Sequence, residues 1–180
     1  RAYGVPLGSL RAAAFAPALL EPAIRGATTY AQWLDAVAAR IAALAPQADA
    51  AALVAAWSAP DGVRLNQPVL DLVRRVRRRM PVLLLSNATS RLRRDLEALG
   101  IADAFDAVVN SSEVGAIKPE PAIFAHALAQ LGVVAEAALF VDDAAGNVEA
   151  ARVLGLRAER YVGVDALRAC LLAHGALGDN

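Results

Sequence analysis

Lysine is almost missing from this chain: of its 18 lysines and arginines, only Lys118 is a lysine. Cysteine is equally scarce. The single Cys170 excludes an internal disulfide framework and suits a reducing, cytoplasmic compartment. Its setting in Leu167-Arg168-Ala169-Cys170-Leu171-Leu172 reads as a small core position. Formal net charge is zero, so there is no global field to attract nucleic acid or an anionic membrane. No apolar run reaches the roughly 18 residues expected of a membrane-spanning helix. Neither G-x-G-x-x-G nor a P-loop occurs, which leaves dinucleotide enzymes and P-loop nucleotide hydrolases without support. The arginine runs at 74–79 and 91–94 lack interleaved aromatics, so they read as solvated helix faces rather than a nucleic-acid patch. His126 and His174 have no partner at metal-ligand spacing and read as structural. Nucleic acid and membranes are therefore not expected partners; a homodimer is left open.

What is present is a core and a change of pattern. With 180 residues the chain fits one domain, or one domain with a smaller insertion. Residues 1 to about 60 read as helix only. Thr28 and Thr29 cap a helix that places Tyr30, Trp33, Leu34, Val37 and Ile41 on one face. A second helix is expected over 49–57, with Trp33 and Trp57 packing the helices together. The turn cluster Ser58-Ala59-Pro60-Asp61-Gly62 is taken as a boundary, giving a small all-helical module at 1–62 and a second at 63–180.

In the second module helices and short apolar segments alternate. Helices are expected over 68–79, 90–99, 121–131, 147–154 and 164–173. Fully buried strands are expected over 82–85 and 138–141, with further strands at 107–109 and near 157–162. Short apolar strands between amphipathic helices indicate an α/β fold: a doubly wound, Rossmann-like parallel sheet with helices on both faces.

Ligands of such sheets bind outside the carboxyl ends of the strands. There the chain places Ser86-Asn87-Ala88-Thr89 after one strand and Asp142-Asp143-Ala144-Ala145-Gly146-Asn147 after another. Lys118 falls in the loop that follows the 107–109 strand. Ser86, Asn87 and Thr89 serve equally well as helix caps, Thr89 best of the three, or as donors to a phosphate at a helix N-terminus. Asp142 and Asp143 can cap too, but adjacent carboxylates repel unless a cation sits near them, which suits Mg²⁺. Lysine is a compact ammonium on a flexible stem, suited to one point contact with a phosphate oxygen, unlike the broad fork of arginine. Together the three groups match phosphoryl transfer.

Leu84-Leu85-Ser86-Asn87, Lys118-Pro119-Glu120-Pro121 and Phe140-Val141-Asp142-Asp143 resemble, in order and spacing, the second, third and fourth motifs of the haloacid dehalogenase-like hydrolases. The likeness covers about residues 66–175. It implies that Ser86 and Asn87 bind a phosphoryl group and that Lys118 stabilises both that group and the nucleophile. It makes Asp143 the main Mg²⁺ ligand, with Asp142 close behind as a further ligand and catalytic group, and Asn147 a support of the loop. It also makes residues 1–62 similar in placement to a helical cap that closes over a substrate.

One departure is large. The first motif of that family is an apolar strand ending in Asp-x-Asp, whose first aspartate is the nucleophile, and no such motif occurs here. Asp35 lies in a helix and Asp61 in a turn with no preceding apolar strand. In the family this strand runs between those expected here at 82–85 and 138–141. Leaving it out would strand backbone donors and acceptors in the core. The expectation is that the sequence starts just downstream of it, and that the chain alone is inactive. The resemblance thus implies a Mg²⁺-dependent phosphatase of a small phosphorylated metabolite, acting through an aspartyl-phosphate. The alternatives are a haloacid dehalogenase, which needs no metal, and a non-catalytic binding protein.

Overall fold

In the computed structural model, which describes residues 3–59 and 63–178, the first third of the chain is helix throughout. Helices α1 (Ser9–Ala14), α2 (Pro17–Ile24), α3 (Tyr30–Leu44) and α4 (Ala50–Ser58) form it. Thr29 starts α3 through a reciprocal capping box: Gln32 N–H donates to Thr29 Oγ1 at 3.2 Å, and Thr29 N–H donates to Gln32 Oε1 at 2.8 Å. Asp49 caps α4 by accepting the Ala52 N–H at 2.9 Å. The buried side chains of this segment, Trp33, Val37, Ile41 and Val54 among them, form a core of their own with Val5 and Ala14. Trp33 donates its indole N–H to Ala14 O, and its ring meets Trp57 edge-on at 5.8 Å, as the aromatic spacing predicts. The turn at 60–62, expected as a boundary, lies outside the described residues, and Asp61 with it.

The remainder runs α5 (Gln67–Arg77), β1 (Leu83–Ser86), α6 (Leu92–Ala98), β2 (Ala107–Asn110), α7 (Ser111–Val114), α8 (Pro121–Leu131), β3 (Leu139–Asp142), α9 (Ala145–Val153), β4 (Arg157–Arg160) and α10 (Val164–Ala173). The strands are parallel, β1 with β2 and β3 with β4. Successive side chains leave opposite faces, and two cores result. Leu83, Leu85 and Phe140 pack with Ile123, Phe124 and Val148 of α8 and α9. Val82, Leu139 and Val141 pack with Leu72 and Val76 of α5 and Leu167 and Leu171 of α10. Helices therefore cover both faces, as the alternation of elements predicts.

The described strands form two two-stranded sheets, the split that follows when the strand between 82–85 and 138–141 is absent, and one expectation needs correction. The strands at β1 and β3 are half-buried rather than fully buried along their length. Both facts have one cause. Val82 O accepts from Asp106 N, and Ala138 O and Asp142 O accept from Arg157 N and Tyr161 N. By the alternation of a parallel ladder, Leu83 and Leu85, like Leu139 and Val141, then turn their N–H and C=O groups away from their paired strands. Among the described residues no strand pairs with those inner edges, which leaves a gap in the ladder, and the apolar side chains beside it stay partly open. Cys170 is likewise half-buried, not a core residue, and burial still pushes its thiol up from its ordinary value. Among the described residues no helix is long and apolar enough to cross a membrane.

Candidate active site

Lys118 stands at the mouth of the gap. Its ammonium donates to Leu85 O on the inner edge of β1 at 3.0 Å and to Asp142 Oδ2 at the end of β3 at 2.5 Å. One point charge thus bridges the two sheets. Both partners are well covered, the lysine side chain 11 % exposed and the aspartate 7 %. The ammonium also lies 5.6 Å from the centroid of Phe140, itself packed edge-on against Phe124 at 5.2 Å.

Asp142 is the most heavily bonded carboxylate of the site. Besides Lys118 it accepts the Ala144 N–H at 2.8 Å and the Asn147 side-chain N–H at 3.1 Å, both on Oδ1. Burial alone would raise its carboxyl; Lys118, the Ala144 N–H and Asn147 outweigh it and hold the group below the usual carboxylate range. Asp142 is therefore an anion built into the wall of the site. Asp143, next along the chain, is exposed, and its carboxylate has no intramolecular hydrogen bond among the described residues. Arg160 Nε holds the Asp143 carbonyl at 3.0 Å, which fixes the loop and leaves the side chain unbound.

Asn87 spends its amide on Lys118. Its Nδ2 donates to Lys118 O at 2.9 Å and its Oδ1 accepts Lys118 N–H at 2.7 Å, a two-bond brace between the loops. Ser86 ends β1 with its hydroxyl free of any intramolecular partner among the described residues. Capping does not account for these side chains: α6 begins only at Leu92, with no side-chain cap, and Thr89 meets Leu92 N–H through its carbonyl. Thr89 is thus not the cap that its position suggests.

Two buried residues that sequence reasoning passed over hold this loop from below. Asn110 and Ser111 are both fully buried at the end of β2. Asn110 Nδ2 donates to Thr89 O at 3.0 Å, and Ser111 Oγ accepts the Ala88 N–H at 3.0 Å. A polar pair following the apolar Val108-Val109 was the available signal, since buried polar groups in such places carry hydrogen bonds. Arg91 is a second surprise. Read as part of a solvated face, it is largely covered and bonds Tyr30 Oη at 2.6 Å, Ser58 O at 2.8 Å and Asp95 at 2.6 Å. Asp95 is an ordinary i,i+4 neighbour, but Tyr30 and Ser58 lie 61 and 33 positions upstream, beyond the reach of helical periodicity.

The family model for haloacid dehalogenase-like hydrolases matches residues 9–155. A phosphatase from Mycobacterium tuberculosis is 35 % identical over 92 residues, 51 % of this chain and 42 % of that protein. A phosphoserine phosphatase from Thermus thermophilus is 40 % identical over 84 residues, 46 % of this chain and 34 % of that protein. The chain thus matches less than half the length of these curated relatives. Among solved structures, a family enzyme from Bacteroides thetaiotaomicron in its magnesium complex is similar with a TM-score of 0.66 at 23 % identity, covering 79 % of this chain and 74 % of that one. An L-2-haloacid dehalogenase from Xanthobacter autotrophicus has a TM-score of 0.62 at 21 % identity, covering 91 % of this chain and 68 % of that one. At such identities the structural likeness speaks for the fold. With the family model spanning most of the sequence, the chain belongs to the haloacid dehalogenase-like hydrolases.

Proposed function

We propose that the site serves a Mg²⁺-dependent phosphatase of a small phosphorylated metabolite, its nucleophilic aspartate lying outside the residues of this chain. The observation that carries the reading is the position of Lys118, bonded to Leu85 O and Asp142, with the Ser86 hydroxyl and the Asp143 carboxylate at the same strand ends unpartnered among the described residues. A lysine so placed offers a single point charge to a phosphoryl oxygen bound at these strand ends. The Ser86 hydroxyl is available to donate to a second oxygen, and the Asn87 brace keeps the two loops in register. Asp142, held as an anion, keeps Lys118 oriented.

The donor set fits Mg²⁺. Among the described residues no group of three or more His, Cys, Asp or Glu side chains converges. Mg²⁺ does not require one, because it is commonly held by one or two carboxylates and completed by waters and phosphate oxygens. Asp143, the carboxylate without a partner, would hold it, with Asp142 behind. Bound there, the ion would neutralise charge on the phosphate. The inner edges of β1 and β3, with no strand paired to them among the described residues, support a further strand there carrying the nucleophile; without it the chain is expected to be inactive. On this reading the α1–α4 module is the cap that screens the site from water.

A dehalogenase is the competing activity, and the free Asp143 argues against it. Two adjacent carboxylates beside a developing halide are unhelpful without a cation between them. The full-length protein should hydrolyse small phosphate monoesters, stop on addition of EDTA and recover with Mg²⁺. Asp143→Asn should lower turnover by about a hundredfold or more. Undiminished turnover by that variant, or halide release from a 2-haloacid that EDTA does not affect, would overturn the assignment.

A further inference from the structure

The segment from the connection after α2 into the first residue of α3, residues 25–30, is fastened at both ends to the loops of the candidate site. At its start Arg25 donates from Nη1 and Nη2 to the two carboxylate oxygens of Glu120, at 3.1 and 2.5 Å. Glu120 lies two residues beyond Lys118, and its Oε2 also accepts the Ile117 N–H at 3.1 Å. At the other end the Tyr30 N–H donates to Ser90 Oγ at 3.1 Å, and Tyr30 Oη accepts from Arg91 at 2.6 Å. The Arg91 guanidinium also stacks 4.9 Å from the Tyr30 ring centroid. Between these points the backbone of Gly26 lies directly against the Ser112 carbonyl of α7. Asn87 joins the two loops to each other at Lys118, so the contacts close into a ring.

Stability alone does not account for the Arg25 pair. Both side chains are about one-third exposed, where ion pairs contribute little. Their position is what distinguishes them. The fork of Arg25 grips the one carboxylate that also fixes the peptide next to Lys118, and a planar guanidinium gives that grip a direction as well as a charge. Arg25 reinforces the ionised form of Glu120, and the Ile117 N–H adds to it. Ser112 Oγ, buried without a hydrogen-bond partner, lies in the same contact zone.

We propose that residues 25–30 are a positioning element: docking of the α1–α4 module places Lys118 through Arg25 and Glu120, and the Ser86 loop through Tyr30, Ser90 and Arg91. Only the kinetic arm of the test rests on the phosphatase reading. In the full-length protein, Arg25→Met should lower kcat on a phosphate monoester by about tenfold to a hundredfold with a much smaller change in KM, because displacement of a reacting group acts on the transition state. Arg25→Lys, which keeps one point contact, should recover part of that loss. Amide exchange should quicken at Ile117 and Lys118 in Arg25→Met and stay unchanged in β3 and α9. Glu120→Gln, which keeps an acceptor for Ile117 but loses the charge, should give a weaker form of the same pattern. Unchanged kcat with unchanged exchange at Ile117 would overturn the proposal, as would exchange that quickens evenly through the whole chain. If the parent protein hydrolyses no phosphate monoester, the phosphatase reading fails instead, and the local exchange pattern decides the positioning claim alone.

Discussion

Lys118→Met in the full-length protein is expected to lower phosphatase turnover by roughly a thousandfold, the scale on which a preorganised transition-state donor acts. The same change should destabilise the fold. Asp142 is held as an anion chiefly by Lys118, and removing the ammonium leaves a covered carboxylate with only the Ala144 N–H and Asn147 to hold it. Breaking such a pair from one side costs on the order of 3 kcal/mol. Stability and chemistry can be separated by neutralising both partners. The double variant Lys118→Met with Asp142→Asn should regain most of the thermal midpoint, since a buried pair replaced on both sides is often nearly neutral. It should regain no turnover. Lys118→Arg should also fail in turnover, because the planar fork cannot meet Leu85 O and Asp142 from the point that the ammonium occupies. Turnover restored by the double variant would show that Lys118 acts only by holding Asp142 in place.

How far the sequence reached can be judged from particular residues. The strands were legible because Leu83-Leu84-Leu85 and Leu139-Phe140-Val141 are short apolar runs between helical periods, and the ends of those strands carry the site. The start of α3 was legible because a hydroxyl at Thr29 before an amphipathic run is a capping signal, although the reciprocal bond from Gln32 and the cap at Asp49 were not read. What stayed hidden depends on distance along the chain. Helix α7 is a four-residue turn, too short for any period to show, and its cap Asn110 is the end of a strand. Arg25 looks like one more arginine until Glu120, ninety-five positions away, appears beside it. The gap beside Lys118 was legible in part, as an expected shortage of one strand. The resulting half-burial of β1 and β3 was not, since apolar runs of this kind read as fully enclosed.

Gly26→Ala tests the other end of the same arrangement and should be the most disruptive small substitution in the helical module. Gly26 has φ +77°, and an added Cβ would lie 2.0 Å from the Ser112 carbonyl oxygen, a backbone atom that cannot turn aside. Two costs combine: the left-handed conformation of a residue with a side chain, about 1 kcal/mol, and the overlap, about 2 kcal/mol more if the contact opens only slightly. Gly132 supplies the control. It ends α8 with φ +66° and has nothing within 4 Å of a built Cβ, so Gly132→Ala carries the first cost without the second. Urea unfolding of the two variants should therefore differ by about 2 kcal/mol, with Gly26→Ala the weaker. The overlap can be relieved only by moving residues 25–30 away from α7, which pulls Arg25 from Glu120 and Tyr30 from Ser90. Gly26→Ala should accordingly reproduce the rapid exchange at Ile117 expected of Arg25→Met, while Gly132→Ala leaves that amide protected. Equal destabilisation by the two alanines would mean that the close approach at Ser112 is not maintained, and the ring of contacts around Lys118 would have to be held by the ion pair alone.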